Sequence, residues 1–199
     1  MNSAKRILLF DLGGVLADLG DPVSAMDLDL SLEEFWTIWL GSSQVHAFEI
    51  GELPTEKFCP RIAEELGQSD TAGFERRFRA WQLRLFPEAE MLIQSALGNY
   101  KLALLSNTNE VHWEQVVSST RAFSSFDHTF LSFETGHYKP STESYYEVMT
   151  RFDCQPGDIL FLDDSPRNVL AAQQIQIDAH QAHGIEQARA IISNDLGAR

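Results

Sequence analysis

Short apolar segments alternate with amphipathic ones along most of the chain, as they do where strands alternate with helices. The segments predicted as strands, the last of them less apolar than the others, are residues 7–10, 101–106, 128–132, 158–163 and 175–182. Helical spacing predicts helices over residues 89–97, 110–117, 144–152, 168–174 and 185–193. This alternation predicts an α/β fold, a Rossmann-like parallel sheet with right-handed crossovers and helices on both faces.

A block with helical patterning interrupts the alternation directly after the first strand. Ser31 and Glu34 have the spacing of a capping box at the start of one helix, and a second helix follows Pro54. Phe78, Trp81 and Leu85 lie at helical spacing and predict a third helix over 74–85. We therefore expect two parts: an α/β core formed by residues 1–17 and 88–199, and a helical insert formed by residues 18–87.

Composition narrows the class of protein. The net charge of −14 argues against nucleic acid or an anionic membrane surface as a partner. The longest apolar runs have four or five residues, far below the roughly 20 that a membrane span needs, and the N-terminal residues do not have the form of a signal peptide. Cys59 and Cys154 lie far apart without metal-type or redox-type neighbours, so we expect free thiols and a cytoplasmic protein.

Polar residues follow the predicted strands where each one ends or soon after. The residues are Asp11 with Gly13 and Gly14, Ser106 with Asn107, Lys139, and the pair Asp163 and Asp164. Because open α/β sheets bind ligands at the carboxyl ends of their strands, we expect these groups to meet. A nucleophilic carboxylate, a hydroxyl, an ammonium and an acidic pair at one edge suit phosphoryl transfer with a divalent cation.

The acidic pair indicates which cation. Asp163 and Asp164 are adjacent on an otherwise apolar strand, where they repel each other unless a positive charge lies between them and Asp11. Mg²⁺ is the best candidate, because this hard ion binds few carboxylates together with water and phosphate oxygens. Gly13 and Gly14 permit positive φ and a close approach of ligand to backbone beside Asp11.

In their order and spacing, these stretches resemble the four motifs of the haloacid dehalogenase superfamily of hydrolases. The matching residues are Asp11-Leu12-Gly13-Gly14-Val15, Ser106-Asn107, Lys139-Pro140 and Asp163-Asp164. The resemblance covers essentially the whole chain, and the insert at 18–87 lies where that family places a helical cap. The segment 48–53 also resembles a cap turn of the branch that includes sugar-1-phosphate phosphatases.

The resemblance implies a role for each site residue. Asp11 would attack phosphorus and form an aspartyl-phosphate, while Ser106 and Lys139 would hold the phosphoryl oxygens. Mg²⁺ would be bound by Asp11, the Gly13 carbonyl and Asp164, with Asp163 binding it through water or orienting its neighbours. Asn107 and Asn168 would add hydrogen bonds nearby, Asn107 to the substrate.

One residue departs from the usual phosphatase pattern. That pattern has an acid–base aspartate two residues after the nucleophile, and this chain has Gly13 there; a water or a cap carboxylate such as Glu49 could take over its function. The leading hypothesis is a Mg²⁺-dependent phosphatase of a small phosphorylated metabolite, with a sugar phosphate as one candidate. Two alternatives stay open: a 2-haloacid dehalogenase, which Asp163, Asp164 and the glycine pair oppose, and a non-catalytic phosphate-binding protein.

Overall fold

The computed structural model describes residues 6–198, so residues 1–5 and 199, assigned above to the ends of the core, lie outside it. Its strands are β1 (Arg6–Phe10), β2 (Ala17–Asp18), β3 (Arg84–Leu85), β4 (Tyr100–Ser106), β5 (His128–Leu131), β6 (Ile159–Asp163) and β7 (Asp178–Gln181). Five of these form one parallel sheet in the order β5-β4-β1-β6-β7. The first strand in the chain therefore lies at the centre of the sheet.

Helices follow the strands as the sequence predicts. They are α1 (Pro22–Met26), α2 (Leu32–Gly41), α3 (Ser43–Glu49), α4 (Thr55–Glu65), α5 (Thr71–Ala80), α6 (Ala89–Ala96), α7 (Glu110–Ser119), α8 (Ser132–Thr135), α9 (Thr142–Phe152), α10 (Pro166–Gln174) and α11 (Gly184–Gly197). Single 3₁₀ turns lie at Ala122–Ser125 and Pro156–Asp158. The predicted α/β fold with a parallel sheet is confirmed.

The central strand explains why its sequence is a continuous apolar run. Leu8 and Phe10 pack into one apolar cluster, while Ile7 and Leu9 pack into a second one on the opposite face of the sheet. Successive residues of a strand point to opposite faces, so a strand that is covered on both faces needs no polar alternation. The same pattern holds for β4 and β6, the neighbours of β1, whose apolar residues also divide between the two clusters.

Helices α1 to α5 lie in the segment between β1 and α6, and α2 to α5 share an aromatic core. Trp39 of α2 packs edge to face on Phe58 of α4 and stacks on Phe78 of α5. The predicted capping box is present, because the Glu34 amide donates to Ser31 Oγ and the Ser31 amide donates to Glu34 Oε2. The apolar cluster of these helices is continuous with the one on the Leu8 and Phe10 face of the sheet.

The predicted helix over 74–85 is wrong at both ends. Helix α5 spans Thr71–Ala80, and the next residues form the short strand β3, which pairs antiparallel with β2. Trp81 and Leu83 are buried while Gln82 and Arg84 are exposed, which is the two-residue period of an extended chain. Leu85 continues this period. Because Leu85 lies four residues after Trp81, the two residues also fit the spacing of a helix.

Two further predictions concern the cysteines and the absence of membrane-spanning helices. Both cysteines, Cys59 and Cys154, are free thiols, as predicted. Within residues 6–198, no helix combines the length and the apolar character that crossing a membrane requires.

Candidate active site

The predicted site residues meet at the carboxyl edge of the sheet. Asp11 follows β1 directly, and its amide donates to the Leu162 carbonyl of β6 at 2.8 Å. Ser106 is the last residue of β4 and Asp163 the last residue of β6, on either side of β1. Lys139 reaches the same place from the loop between α8 and α9.

Lys139 joins two of these acids through its ammonium group. Its Nζ donates to Asp11 Oδ1 at 2.7 Å and to Asp163 Oδ2 at 2.6 Å, although the residue is only 2% exposed. Burial alone would lower the pKa of Lys139, but the charges of Asp11 and Asp163 outweigh burial and hold that pKa above its usual range. A charged lysine therefore lies directly beside the candidate nucleophile.

Three carboxylates come together around this lysine. Asp11, Asp163 and Asp164 each offer an oxygen atom within 4.8 Å of the others. Burial raises the pKa of Asp11, with Lys139 opposing the shift and Asp163 adding to it. Burial and then the charge of Asp163 also raise the pKa of Asp164. One ammonium does not neutralise three carboxylates, so the group suits a hard divalent cation with oxygen ligands.

Both carboxylate oxygens of Asp163 accept hydrogen bonds from other groups of the protein. Oδ1 accepts from the Ser165 amide at 2.8 Å, and Asn168 Nδ2 lies 3.0 Å from Oδ1 and 3.1 Å from Oδ2. Oδ2 also accepts from Lys139. Asp163 is thus bonded to Lys139, Ser165 and Asn168, and the two functions that the sequence leaves open for it, binding the metal through water and orienting its neighbours, stay predictions.

Asn107 acts on the backbone of the lysine loop. Its Nδ2 donates to the Lys139 carbonyl at 2.9 Å, and its Oδ1 accepts from the Lys139 amide at 2.8 Å. Both ends of the Asn107 amide are thus engaged, and the side chain positions Lys139. Asn107 also lines the cavity, and its predicted contact with substrate remains a prediction.

Ser106 lies beside the site without lining its cavity. The residue is 3% exposed, whereas the following Asn107 and Thr108 do line the cavity. The backbone of Thr108 is fixed by Ser132, whose Oγ accepts from the Thr108 amide at 2.9 Å and donates to its carbonyl at 3.1 Å. The predicted contact of Ser106 with phosphoryl oxygens remains a prediction.

Gly13 and Gly14 differ in whether the structure requires glycine at their positions. Gly14 has a φ of +72°, and a Cβ built on it would lie 2.2 Å from Asp164 Oδ2. Gly13 lies outside the left-handed region, and a Cβ built there would meet the flexible end of the Leu19 side chain at 2.9 Å. Gly14 therefore lets Asp164 approach the backbone, while Gly13 leaves space beside Asp11 where the usual pattern has an aspartate.

A cavity of about 530 Å³ opens above these groups. Asp11, Gly13, Lys139 and Asp164 contribute to it from the α/β part of the chain. Segments between β1 and α6 contribute residues with largely apolar side chains: Leu19, Trp36, Trp39, Leu40, Trp81 and Leu83. The cavity thus combines charged groups from one part of the chain with a mainly apolar lining from the other, to which His46 and Glu49 add polar groups.

Glu49, at the end of α3, is a carboxyl group that lines the same cavity from the other part of the chain. It is 8% exposed, and it interacts with the Trp39 indole and the Tyr138 hydroxyl. Burial raises the pKa of Glu49 to about 7, although hydrogen bonds from Trp39 and Tyr138 and the charge of Lys139 oppose the shift. A buried carboxyl of this kind holds its proton close to neutral pH.

His112 of α7 is a cavity residue that reasoning from the sequence missed. Its Nδ1 lies 3.1 Å from Asn109 Nδ2, while Asn109 Oδ1 accepts from the His112 amide. The amide nitrogen of Asn109 is therefore the donor, Nδ1 the acceptor, and the ring proton is on Nε2. Burial lowers the pKa of His112 to about 3, so the ring is neutral, and its nearest aromatic neighbour is Trp81 at 4.6 Å.

Other lining residues were also missed, for a physical reason. Trp36, Trp39 and Trp81 pack on one another, as core residues do, while they also face the cavity. Tyr138 had one available signal, since it precedes Lys139 in the chain. No residue pattern along α2 reveals that this helix lies over a strand end more than 20 residues away.

A buried carboxylate–lysine pair and two further carboxylates lie together at the carboxyl edge of a Rossmann-like sheet. The sequence model for "haloacid dehalogenase-like hydrolase" matches residues 5–176. The chain therefore belongs to the haloacid dehalogenase-like hydrolases, which confirms the resemblance seen in its motifs.

Two curated relatives match most of the chain. A sesquiterpene phosphatase of Aspergillus oryzae is 27% identical over 178 residues, which are 88% of this chain and 88% of that protein. A D-ribitol-5-phosphate phosphatase of Bacteroides thetaiotaomicron is 25% identical and covers 87% of this chain and 90% of its own length. Both names agree with the prediction of a phosphoric monoester hydrolase.

Solved structures agree in fold. A haloacid dehalogenase family enzyme of Bacteroides thetaiotaomicron superposes with a TM-score of 0.78 at 25% identity, covering 95% of this chain and 99% of that one. A second structure of that enzyme, in complex with magnesium and inorganic phosphate, has a TM-score of 0.73 at 25% identity and covers 89% and 94% of the two chains.

Proposed function

We propose that this protein is a Mg²⁺-dependent phosphatase that hydrolyses small phosphate monoesters through an aspartyl-phosphate on Asp11. The observation that carries the proposal is the contact of Asp11 Oδ1 with the buried Lys139 ammonium, at the charged end of a cavity large enough for a small molecule. The two curated relatives with phosphatase names, and the similar enzyme bound to magnesium and phosphate, support it.

The reaction proceeds in two displacement steps on phosphorus. A carboxylate oxygen of Asp11 forms a bond to phosphorus as the bond to the alcohol oxygen breaks; that oxygen leaves with the electron pair of the broken bond and takes a proton from solvent. Water then attacks the phosphorus of the aspartyl-phosphate, which releases inorganic phosphate and restores Asp11. Lys139 and Ser106 hold the phosphoryl oxygens, while Asn107 and Asp163 hold Lys139 in place through the contacts described above.

The residues present fit a magnesium ion. Asp11, Asp163 and Asp164 form a cluster of hard oxygen donors whose negative charge Lys139 does not balance. In our proposal Asp11, Asp164 and the Gly13 carbonyl bind the ion directly, and Asp163 contributes through water or through Lys139. When bound, the ion would neutralise the charge of the phosphoryl group and the attacking carboxylate.

The insert formed by residues 18–87 would act as a cap, with 1–17 and 88–199 as the catalytic core. Support comes from the cavity itself, because its apolar lining includes Trp36, Trp39 and Trp81 of the insert and its charged end belongs to the core. Such a cap would exclude water and select the alcohol.

The alternatives differ in their need for metal and for a nucleophile. A 2-haloacid dehalogenase would use Asp11 to attack carbon and would need no metal. The close approach of Asp164 to Gly14 would then have no function in the reaction. A non-catalytic phosphate-binding protein would not form a phosphorylated Asp11.

One experiment separates these three functions. Purified protein is incubated with acetyl phosphate or 2-chloropropionate, with Mg²⁺ or with a chelator, and the acid-quenched protein is analysed by mass spectrometry for phosphorylation at Asp11. We expect Mg²⁺-dependent phosphate release and a labelled Asp11, both lost in Asp11→Asn and retained in Asp29→Asn, an exposed aspartate. Chloride release without metal, or phosphate binding without turnover, would overturn the proposal.

A further inference from the structure

The cavity over Asp11 is lined in a way that selects the organic part of the substrate. Its apolar end contains the tryptophans at 36, 39 and 81 together with the leucines at 19, 40 and 83. Six large apolar side chains facing one cavity provide extensive contact with carbon atoms. Other polar lining residues, among them Thr108, Ser141, Ser165 and Arg167, belong to the α/β part of the chain that carries Asp11 and Lys139.

The two deepest indoles have no free N–H to offer a hydroxyl group. The Trp81 Nε1–H donates to the Leu19 carbonyl at 2.6 Å, and the Trp39 indole interacts with Glu49. Trp81 packs edge to face on Trp39 with ring centroids 5.5 Å apart, and Phe35 stacks behind Trp39 at 5.3 Å. Both side chains are 4% exposed, so their orientation is fixed by packing.

Three polar groups near the tryptophans are engaged with one another. The Glu49 carboxyl and the Asn107 amide both interact with the Tyr138 hydroxyl. His112 is neutral, Asn109 occupies its Nδ1, and its Nε2–H has no hydrogen-bond partner among the described residues, which leaves one donor for a ligand. Further hydroxyl groups of a ligand would have to break the contacts of Glu49, Asn107 and Tyr138 or stay unpaired, and both weaken binding.

We infer that the phosphate monoester this enzyme takes is that of an apolar alcohol, isoprenoid or aromatic in character, and not that of a sugar or polyol. This inference rests on the proposed phosphatase function and replaces the sugar phosphate suggested by the sequence. The phosphate would lie at Lys139, and the carbon skeleton would extend toward Trp36 and Leu40. A substrate of this shape would bury its apolar part and leave the existing hydrogen bonds of the lining intact.

Phosphonates test the inference without requiring turnover. Binding to the Mg²⁺-loaded protein is measured by calorimetry for methyl-, butyl-, pentyl-, hexyl- and octylphosphonate and for 2,3,4,5-tetrahydroxypentylphosphonate. Because a buried methylene contributes up to about fourfold in affinity, we expect affinity to rise along the alkyl series until the cavity is filled. We expect pentylphosphonate to bind more tightly than its tetrahydroxy analogue. A flat alkyl series, or equal or tighter binding of the tetrahydroxy compound, would overturn the inference.

Two leucines of α2 provide a matched pair of variants. Leu40 lines the cavity and is 65% exposed, so its replacement leaves the core intact; Leu32 is 48% exposed and lies outside the lining. Leu40→Ser should reduce the ratio of octyl to methyl affinity at least threefold, and Leu32→Ser should leave that ratio unchanged. Equal ratios in both variants would contradict the proposed position of the carbon skeleton.

Acetyl phosphate separates this inference from the proposed function. Its small acyl group does not reach the apolar end, so its hydrolysis reports on Asp11 and Mg²⁺ alone. Hydrolysis of acetyl phosphate combined with preference for the tetrahydroxy phosphonate would leave the phosphatase function standing and remove the inference. Absence of hydrolysis would remove the phosphatase function, whatever the phosphonates show.

Discussion

Gly14 lies directly against the carboxylate of Asp164. A Cβ on Gly14 would be 2.2 Å from Asp164 Oδ2 and 2.6 Å from its Cγ, and the φ of +72° at Gly14 disfavours a side chain as well. Conformation and space thus both require glycine at this position. In the proposed enzyme this contact places a metal-binding carboxylate beside the turn that follows the nucleophile.

Gly14→Ala should therefore impair both folding and metal binding. Strain at a positive φ and displacement of Asp164 should lower the free energy of unfolding by about 1–3 kcal/mol, measured by urea denaturation. Mg²⁺ affinity, measured by calorimetry, should fall at least tenfold. The control is Gly13→Ala, whose Cβ would meet only the movable end of Leu19. Equal effects at the two glycines would argue against a specific contact with Asp164.

Removal of the Lys139 ammonium should destabilise the fold strongly. Lys139→Met leaves Asp11 and Asp163 buried beside each other without their cation, which typically costs about 3–5 kcal/mol. The exposed Lys57→Met serves as the control and should change the free energy of unfolding by less than about 0.5 kcal/mol. Adding Asp163→Asn to Lys139→Met should restore part of the loss. Without such recovery, charge repulsion would not be the cause.

Glu49 should make stability depend on pH. Its pKa in the folded protein, about 7, lies above its ordinary value of 4.5, so the folded state keeps this proton where the unfolded chain has released it. The stability associated with this proton is complete below pH 4.5, is lost as the pH rises to 7, and amounts to roughly 3 kcal/mol. Glu49→Gln should abolish this loss.

The measurement is the free energy of unfolding at closely spaced pH values from 4.5 to 8. Glu52→Gln is the matched control, since Glu52 lies three residues further along the chain and is exposed. Its pH profile should follow that of the unmodified protein. If Glu49→Gln followed it too, Glu49 would titrate with its ordinary pKa, and the burial described above would have no energetic effect.

The sheet was predictable because its strands are buried on both faces. Ile7 to Phe10 could be recognised from apolar character alone, and the positions of Asp11 and Asp163 then follow from where the strands end. The salt bridges of Lys139 could not be derived in the same way. This lysine follows its strand by eight residues, and its direction depends on the Asn107 contacts with its backbone.

The segment between β1 and α6 was less predictable because its residues serve two purposes. Trp39 and Trp81 bury most of their surface against other residues of this segment, and they also line the cavity. The second purpose depends on where the sheet lies, which local sequence does not encode. The error at Trp81 to Leu85 has a similar origin, because the pairing of β3 with β2 joins segments more than 60 residues apart.

Gly13 should determine which leaving groups the enzyme tolerates. With no aspartate at this position to protonate the departing oxygen, the first step should depend strongly on how well that oxygen carries negative charge; a positioned acid typically contributes 10²- to 10⁴-fold. Within a series of aryl phosphates of equal size, log(kcat/KM) should therefore fall steeply as the leaving-group pKa rises. Gly13→Asp should flatten this slope, since the backbone there accepts a side chain once Leu19 moves.

A shallow slope in the unmodified protein, with chemistry shown to limit the rate, would mean that another residue delivers the proton. Glu49 is then the residue to test, because it lines the same cavity and holds its proton up to a pH of about 7. In that case Glu49→Gln would steepen the slope and remove a fall in kcat/KM above pH 7 for alkyl phosphates, while Glu52→Gln would change neither. If the slope stayed shallow in Glu49→Gln, the proton would come from water, and the space at Gly13 would be where that water reaches the departing oxygen.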